Sequence, residues 1–365
     1  MRYDVVIAGG GPAGAAAAIT LARDGWQVLL CEAEPDREFQ VGEGLLPSAR
    51  SLLSDLGVVD RVLAGSHRVS HGTVAAWGSE SLTHTDFLFN LQGEGLLLDR
   101  VQFDRELRRA AADAGAEVRT LRLRSLDEGQ MSCRFVVDAG GRSAVLSRRL
   151  GAIRRQADHL IAFHLCLSSD GGSDELASVL VESEEAGWWY TALLPSRRRL
   201  VVFLTDADLA DRLTLLNAAG FMSRLRQTLH IGPLIARHAY EPATEVRGTD
   251  ASSGRLDCAA GDHWLAVGDA AQSFDPLSSK GIANALYTGI HGARTVAAAL
   301  RGDIQALTRY DDHLAEIFRV YCGQATDVYR QEQRWPAAPF WRRRQWPQAG
   351  DVDRGPAASN VRTNA

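Results

Sequence analysis

Hydrophobic positions along the chain fall into two textures. Residues 3–8 form a short apolar run, as a strand buried on both faces does. Glycines cluster at 9–14. An alanine-rich stretch over 15–23, stopped by Gly25, predicts a helix, and residues 27–31 predict a second buried strand. Strand, turn, helix and strand make a βαβ opening, not a hairpin. Residues 48–58 and 100–114 carry apolar side chains at helical spacing, in the second case Val101, Phe103, Leu107 and Ala110. Residues 116–121 and 133–137 predict further strands.

From residue 159 the period changes to two. Ile161, Phe163, Leu165 and Leu167 point one way and His164 and Cys166 the other, which predicts an antiparallel strand with unequal faces. Similar strands are expected at 177–181, 188–194 and 200–205. The middle one begins Trp188, Trp189, Tyr190, and alternation places Trp188 and Tyr190 on one face. Sheet core and the wall of an apolar pocket are both open to these rings. The α/β texture returns at 262–267, and helices over about 281–299 and 304–330 close the fold. Beyond residue 345 the chain is rich in Pro, Gly, Ala, Ser and Asn without periodicity, and a disordered tail is expected. The elements define an α/β fold: a parallel-sheet domain split in sequence by an inserted antiparallel sheet.

Gly9-Gly10-Gly11-Pro12-Ala13-Gly14 contains G-x-G-x-x-G between strand and helix, and Glu32 stands at the end of the second strand. In that context the pattern is a dinucleotide fingerprint. Gly9 permits the tight turn, Gly11 lets the backbone approach a pyrophosphate, and Gly14 lets helix and strand pack closely. First-turn amides and the helix dipole then face the anion. Glu32 would accept hydrogen bonds from the adenosine ribose. Two later motifs also end strands: Asp138-Ala139-Gly140-Gly141-Arg142-Ser143 and Gly268-Asp269. Asp269 could accept from a ribityl hydroxyl. The loop between Pro276 and Gly281 opens a long helix whose positive end suits an anionic ring.

In this order the motifs resemble those of the flavoprotein monooxygenases with the para-hydroxybenzoate hydroxylase fold, over residues 1 to about 342. The resemblance implies a Rossmann-like FAD-binding domain in three pieces, 1–80, 100–155 and 255–300. It implies an antiparallel-sheet substrate domain from 81–99 and 156–254, a C-terminal helical segment over 301–344, and the tail, 345–365. FAD would be held by Gly9, Gly11, Pro12, Ala13, Gly14, Glu32, Ala33, Gly42, Arg100, Asp138, Gly140, Gly268 and Asp269. Pro276, Gly281, Ile282 and Ala283 would lie beside its isoalloxazine ring. The inserted sheet would cover an aromatic substrate, with Trp188, Trp189, Tyr190 and His164 as candidate contacts.

Two further stretches narrow the resemblance. Val41-Gly42-Glu43 followed by Pro47, and Pro339-Phe340-Trp341-Arg342, are similar to the flavin-dependent halogenase branch. That branch's W-x-W-x-I-P motif is missing. Residues 187–195 read GWWYTALLP instead, a form more similar to maturase flavoproteins that hydroxylate a tryptophan of a partner oxidase while building its quinone cofactor. Tryptophan halogenases use a lysine upstream of the inserted sheet. The comparable stretch here, 66–77, offers Arg68 and no lysine, and an arginine is no tunable amine. Lys280 is the one lysine of the chain. It is a weak catalytic candidate, and balancing charge at the flavin loop or a helix end is its more ordinary role.

The favoured expectation is therefore an FAD-dependent monooxygenase that hydroxylates an aromatic substrate, with a tryptophan of a partner protein as the specific case. A small or carrier-bound natural-product intermediate is the broader case. Halogenation, or oxidation of a natural-product intermediate, is the alternative, and a flavin-binding partner or chaperone protein with little catalysis is the second. Dioxygen is the expected co-substrate. With no second G-x-G-x-x-G, electrons are expected from NAD(P)H bound transiently or from a partner flavin reductase. The 365 residues are 45% hydrophobic and carry 40 basic against 45 acidic side chains, for a net charge of −5. This excludes global disorder and argues against a nucleic-acid partner. Five scattered cysteines lack disulfide or metal spacing. No apolar run reaches membrane-spanning length, and a cytoplasmic location is expected. The arginine runs 197–199 and 342–344 read as solvated charge, with an acidic partner as a second reading.

Overall fold

The computed structural model describes residues 2–34, 39–87, 90–125, 132–171 and 174–345. The expected tail beyond Gln345 lies outside the described residues, and Gln345 itself ends a helix, Pro339–Gln345. The fold is α/β: a Rossmann-like region, an inserted sheet domain and C-terminal helices.

The first sheet runs in the order Ala260–Gly261, Trp264–Ala266, Ser132–Asp138, Arg2–Ala8, Val28–Glu32, Glu117–Thr120. All its pairings are parallel except the outermost, between Ala260–Gly261 and Trp264–Ala266. Its register matters most for function. Ala8 lies opposite both Cys31 and Asp138, and Asp138 lies opposite Ala266. Three glycine-bearing turns thus leave one edge of the sheet side by side, where ligands of open α/β sheets collect. The alanine-rich helix Pro12–Arg23 buries nearly its whole length between this sheet and the long helix Gly281–Leu300. Small side chains let the two helices approach closely: a Cβ at Gly289 would lie 2.3 Å from the carbonyl oxygen of Ala13.

The inserted sheet has eight strands, ordered Glu241–Pro242, Leu160–Ser168, Arg199–Asp206, Gly187–Leu193, Ser178–Glu184, Gly72–Ala76, Thr83–Asp86, with Arg247–Asp250 also paired to Leu160–Ser168. It is not wholly antiparallel, because Ser178–Glu184 runs parallel to Gly72–Ala76. That pairing moves residues 72–76 from the FAD-binding part, where the sequence suggested them, into the inserted sheet. Gly95–Leu97, expected in the substrate domain, instead forms a small sheet with Gly44–Leu45 and Arg68–Ser70. The helix expected over 48–58 spans Ala49–Asp55 and ends early because the chain turns at Gly57 with φ +59°; a separate short helix, Val59–Leu63, follows. A residue with a side chain is strained at that φ.

Both faces of the inserted sheet are covered, which is why its strands are buried on both sides. Phe163, Leu165, Leu167, Trp189 and Phe203 meet short helices on one side. Ala162, Cys166, Trp188, Val202 and Leu204 meet Tyr329, Phe340 and Trp341 on the other. The arginine runs are not simply solvated. Arg199 is fully buried and donates to Asp174 at 2.7 Å. Arg344 and Arg343 pair with Asp206 and Asp208 at 2.6 and 2.8 Å. Arg199 opens a strand buried on both faces, and Arg344 turns from the helix Pro339–Gln345 onto Asp206, so the place of each arginine in its element decides which reaches water.

Candidate active site

A cavity of about 1000 Å³ opens where the two sheets meet. On the Rossmann side it is lined by Gly9, Gly11, Pro12, Ala13, Glu32, Ala33, Gly42, Arg100, Asp138, Gly140 and Asp269. On the other side stand Pro276, Gly281, Ile282, His164, Trp188 and Tyr190. Residues from nine separate stretches of sequence therefore share one space. Gly14, Gly268 and Ala283 lie behind its wall, Trp189 faces the opposite side of the sheet, and Lys280 is exposed and donates to Gln324 at 3.0 Å.

The glycine turn has the shape its sequence implies. Gly9 adopts φ +110°, and a Cβ there would lie 2.3 Å from the carbonyl oxygen of Ala139. A Cβ on Gly14 would lie 1.8 Å from the carbonyl oxygen of Gly9. Gly11 differs: nothing lies within 4 Å of its added Cβ. It caps the helix Pro12–Arg23 with no side chain on the first-turn amides. This is open space in front of a helix N-terminus, which suits an anion. Glu32 accepts the Gly10 amide at 2.8 Å and the Glu34 amide at 2.9 Å. A carboxylate has about four acceptor sites, so capacity remains for ribose hydroxyls. Open backbone at a helix end, an acid at the second strand and a cavity between two sheets fit FAD.

Several candidates hold other protein groups. Asp138 accepts the Gly140 amide at 2.9 Å and both the amide and hydroxyl of Ser147, at 2.8 and 2.9 Å, so it shapes its own turn. Arg100 pairs with Asp104 and donates to the carbonyl oxygens of Val41 and Gly42, tying the segment after the second strand to the helix Arg100–Asp113. Burial pushes the Asp269 carboxyl up, opposed by the nearby Arg142 and Arg154.

The sequence reasoning missed four contributors. Arg108 donates to the Gly10 carbonyl oxygen at 3.2 Å from a helix 98 residues away, and nothing local signals it. Arg142, inside the quoted Asp138 motif, donates to the Phe274 carbonyl oxygen at 3.3 Å and lies 3.4 Å from Asp269. Asp275, just before the Pro276–Gly281 loop, is buried and accepts Tyr329 at 2.6 Å and the Leu277 amide at 2.8 Å. Burial, reinforced by Asp158, pushes its carboxyl up to about 6. Trp188 donates to the same Tyr329 hydroxyl at 3.1 Å, linking the inserted sheet to the loop. The fourth is Glu43, buried in the cavity wall.

The cavity wall on the inserted sheet is an ordered row. His164 lies opposite Val202, Val202 opposite Tyr190, Tyr190 opposite Val181, and Val181 opposite Ala75. Burial, then the Arg247 charge, pulls His164 down to about 4, so its ring is neutral at pH 7. Burial, then the Glu43 charge, holds Tyr190 well above the usual tyrosine range. The wall is apolar with two neutral polar tips.

These features define a flavin-dependent oxidoreductase. Residues 2–319 match the profile of the family described as FAD binding domain, and the chain belongs to that family. It is 30% identical over 362 residues to the putative FAD-dependent oxidoreductase LodB of Marinomonas mediterranea, covering 94% of this chain and 96% of that one. It is 25% identical to the 1H-pyrrole-2-carbonyl-[peptidyl-carrier protein] brominase of Pseudoalteromonas luteoviolacea, covering 82% and 79%. Among solved structures it resembles the peptidyl tryptophan dihydroxylase QhpG, essential for tryptophylquinone cofactor biogenesis. There the TM-score is 0.78 at 27% identity, covering 96% of this chain and 80% of that one. No helix among the described residues is long and apolar enough to cross a membrane.

Proposed function

We propose that this protein uses reduced FAD and dioxygen to hydroxylate an aromatic ring, in the specific case a tryptophan side chain of a partner protein. The observation that carries this reading is the absence of any amine at the cavity: the sole lysine of the chain is exposed and bonded to Gln324. Likeness to the peptidyl tryptophan dihydroxylase QhpG supports it, and likeness to LodB over nearly the whole chain supports FAD-dependent oxidoreduction. Electrons come from NAD(P)H or a partner flavin reductase.

In this reading bound FAD supplies an electrophilic oxygen, and the chain's own groups do the rest. The Gly9–Gly14 turn and the helix behind it hold the pyrophosphate, and Glu32 the ribose. Pro276, Gly281 and Ile282 face the reacting end with the positive terminus of the helix Gly281–Leu300. Val181, Val202, Leu204, Trp188 and Tyr190 exclude water and position the ring. His164, held neutral, offers a hydrogen bond without adding charge.

Halogenation is the second reading, favoured by the number of halogenases among the named relatives. The test supplies FAD, a flavin reductase, dioxygen and a tryptophan-containing peptide or candidate partner protein, with and without bromide. Product mass increased by whole oxygen atoms regardless of halide supports hydroxylation. A bromide-dependent mass gain sinks it in favour of halogenation. Oxygen consumption that no substrate alters would make the protein a flavin binder instead.

A further inference from the structure

Glu43 is a charged side chain in an apolar place. Its relative exposure is 4%, and it lies on the segment where the chain crosses between the two cores. Val41 and Phe39 pack against the inserted sheet, while Leu45 belongs to the Rossmann core. The position is fixed: Leu98 donates its amide to the Glu43 carbonyl oxygen at 2.8 Å, and Gly44–Leu45 pairs with Gly95–Leu97.

The carboxyl keeps acceptor capacity to spare, having about four acceptor sites. It accepts the Gly42 amide at 3.1 Å and its own backbone amide. Arg100, whose charge bears on it, directs its guanidinium to Asp104 and two carbonyl oxygens. Glu43 lines the same cavity as Tyr190, Trp188 and His164, and its charge bears on Tyr190. Burial pushes its own pKa up, opposed by those two amides and by the Arg100 charge. A buried acceptor at an otherwise apolar wall selects a ligand that brings a donor.

We propose that Glu43 accepts the ring N–H of a bound aromatic heterocycle, an indole or pyrrole, and so determines substrate specificity and ring orientation. Electrophilic attack on a carbon of such a ring builds positive charge at its nitrogen, and a carboxylate beside that N–H stabilises the charge. The inference rests on the aromatic-substrate reading above, yet it holds for hydroxylation and halogenation alike. A brominated product would overturn the proposed function and leave the Glu43 assignment standing.

The test compares indole with benzofuran, a ring of the same shape lacking the N–H. Each is titrated into the FAD-loaded protein and followed by calorimetry and by the visible spectrum of the flavin. Wild-type protein should bind indole about tenfold or more tightly than benzofuran, the worth of one charge-assisted hydrogen bond. Glu43→Gln, which keeps an acceptor, should retain part of the preference. Glu43→Ala should lose it while still binding benzofuran. The assignment is overturned by equal binding of the two rings to wild type, by no indole binding at millimolar concentration, or by a preference that survives in Glu43→Ala. Loss of FAD from both variants would also overturn it, giving the carboxyl to the nucleotide.

Discussion

Replacing Gly11 by alanine should separate the folding of the glycine turn from its function. The added Cβ meets nothing within 4 Å, and φ at Gly11 is −73°, which any residue can adopt. The substitution strains nothing and restricts the unfolded chain, so stability should rise by about 0.4–1 kcal/mol. The same methyl, however, occupies the space in front of the helix N-terminus. Losing two amide–phosphate hydrogen bonds at about 1.5–2 kcal/mol each gives about 3–4 kcal/mol, or roughly a 100- to 1000-fold rise in the Kd for FAD. Gly14→Ala should behave oppositely in stability. Its Cβ would sit 1.8 Å from the Gly9 carbonyl oxygen and 3.0 Å from the Ala139 side chain, so helix and strand must separate. That costs about 1–3 kcal/mol or more. Urea unfolding of the nucleotide-free proteins and flavin-fluorescence titration read the two effects separately. A Gly11→Ala protein that binds FAD like wild type, or unfolds as easily as Gly14→Ala, would refute the reasoning.

Three further outcomes follow from the same contacts. Asp275 has a folded-state pKa raised to about 6 from 3.8, so the folded protein holds that proton more tightly than the unfolded chain. Stability should fall by about 3 kcal/mol as pH climbs from about 4 through 6, and then level off. Asp275→Asn should remove that slope from urea unfolding curves, and parallel wild-type and variant profiles would contradict it. Asp174→Ala strands the fully buried Arg199 and should cost about 3–5 kcal/mol, whereas Arg197→Ala at the exposed end of the same run should stay within about 0.5 kcal/mol; similar unfolding midpoints would contradict the buried pairing. Lys280→Met should leave product formation and FAD affinity near wild type, because Nζ reaches only Gln324 outside the cavity; a large fall in turnover would give the lysine a catalytic role.

Much of the fold was legible because short-range patterns determine it. The βαβ opening follows from an apolar run, a glycine cluster and an alanine-rich helix, all within about thirty residues. Period-two alternation separated Trp188 and Tyr190 from Trp189, but it could not say which face meets the cavity. That choice depends on the covering elements: Phe203 and Phe221 lie against Trp189, while Tyr329 bonds Trp188. The arginine runs misled for a related reason. Composition marks them as surface, yet Asp174 draws Arg199 inward and Asp206 draws Arg344. Glu43, Asp275 and Arg108 acquire their surroundings from segments 50 or more residues away. No local period encodes such partners.

The account depends on three aligned strand ends forming a cradle for one flavin nucleotide. Equilibrium titration of nucleotide-stripped protein with FAD, followed by fluorescence quenching and by the visible spectrum, tests this directly. The account predicts saturable, stoichiometric uptake that Gly11→Ala weakens and excess AMP competes away. Protein that folds cooperatively yet shows no saturable uptake of FAD would contradict it.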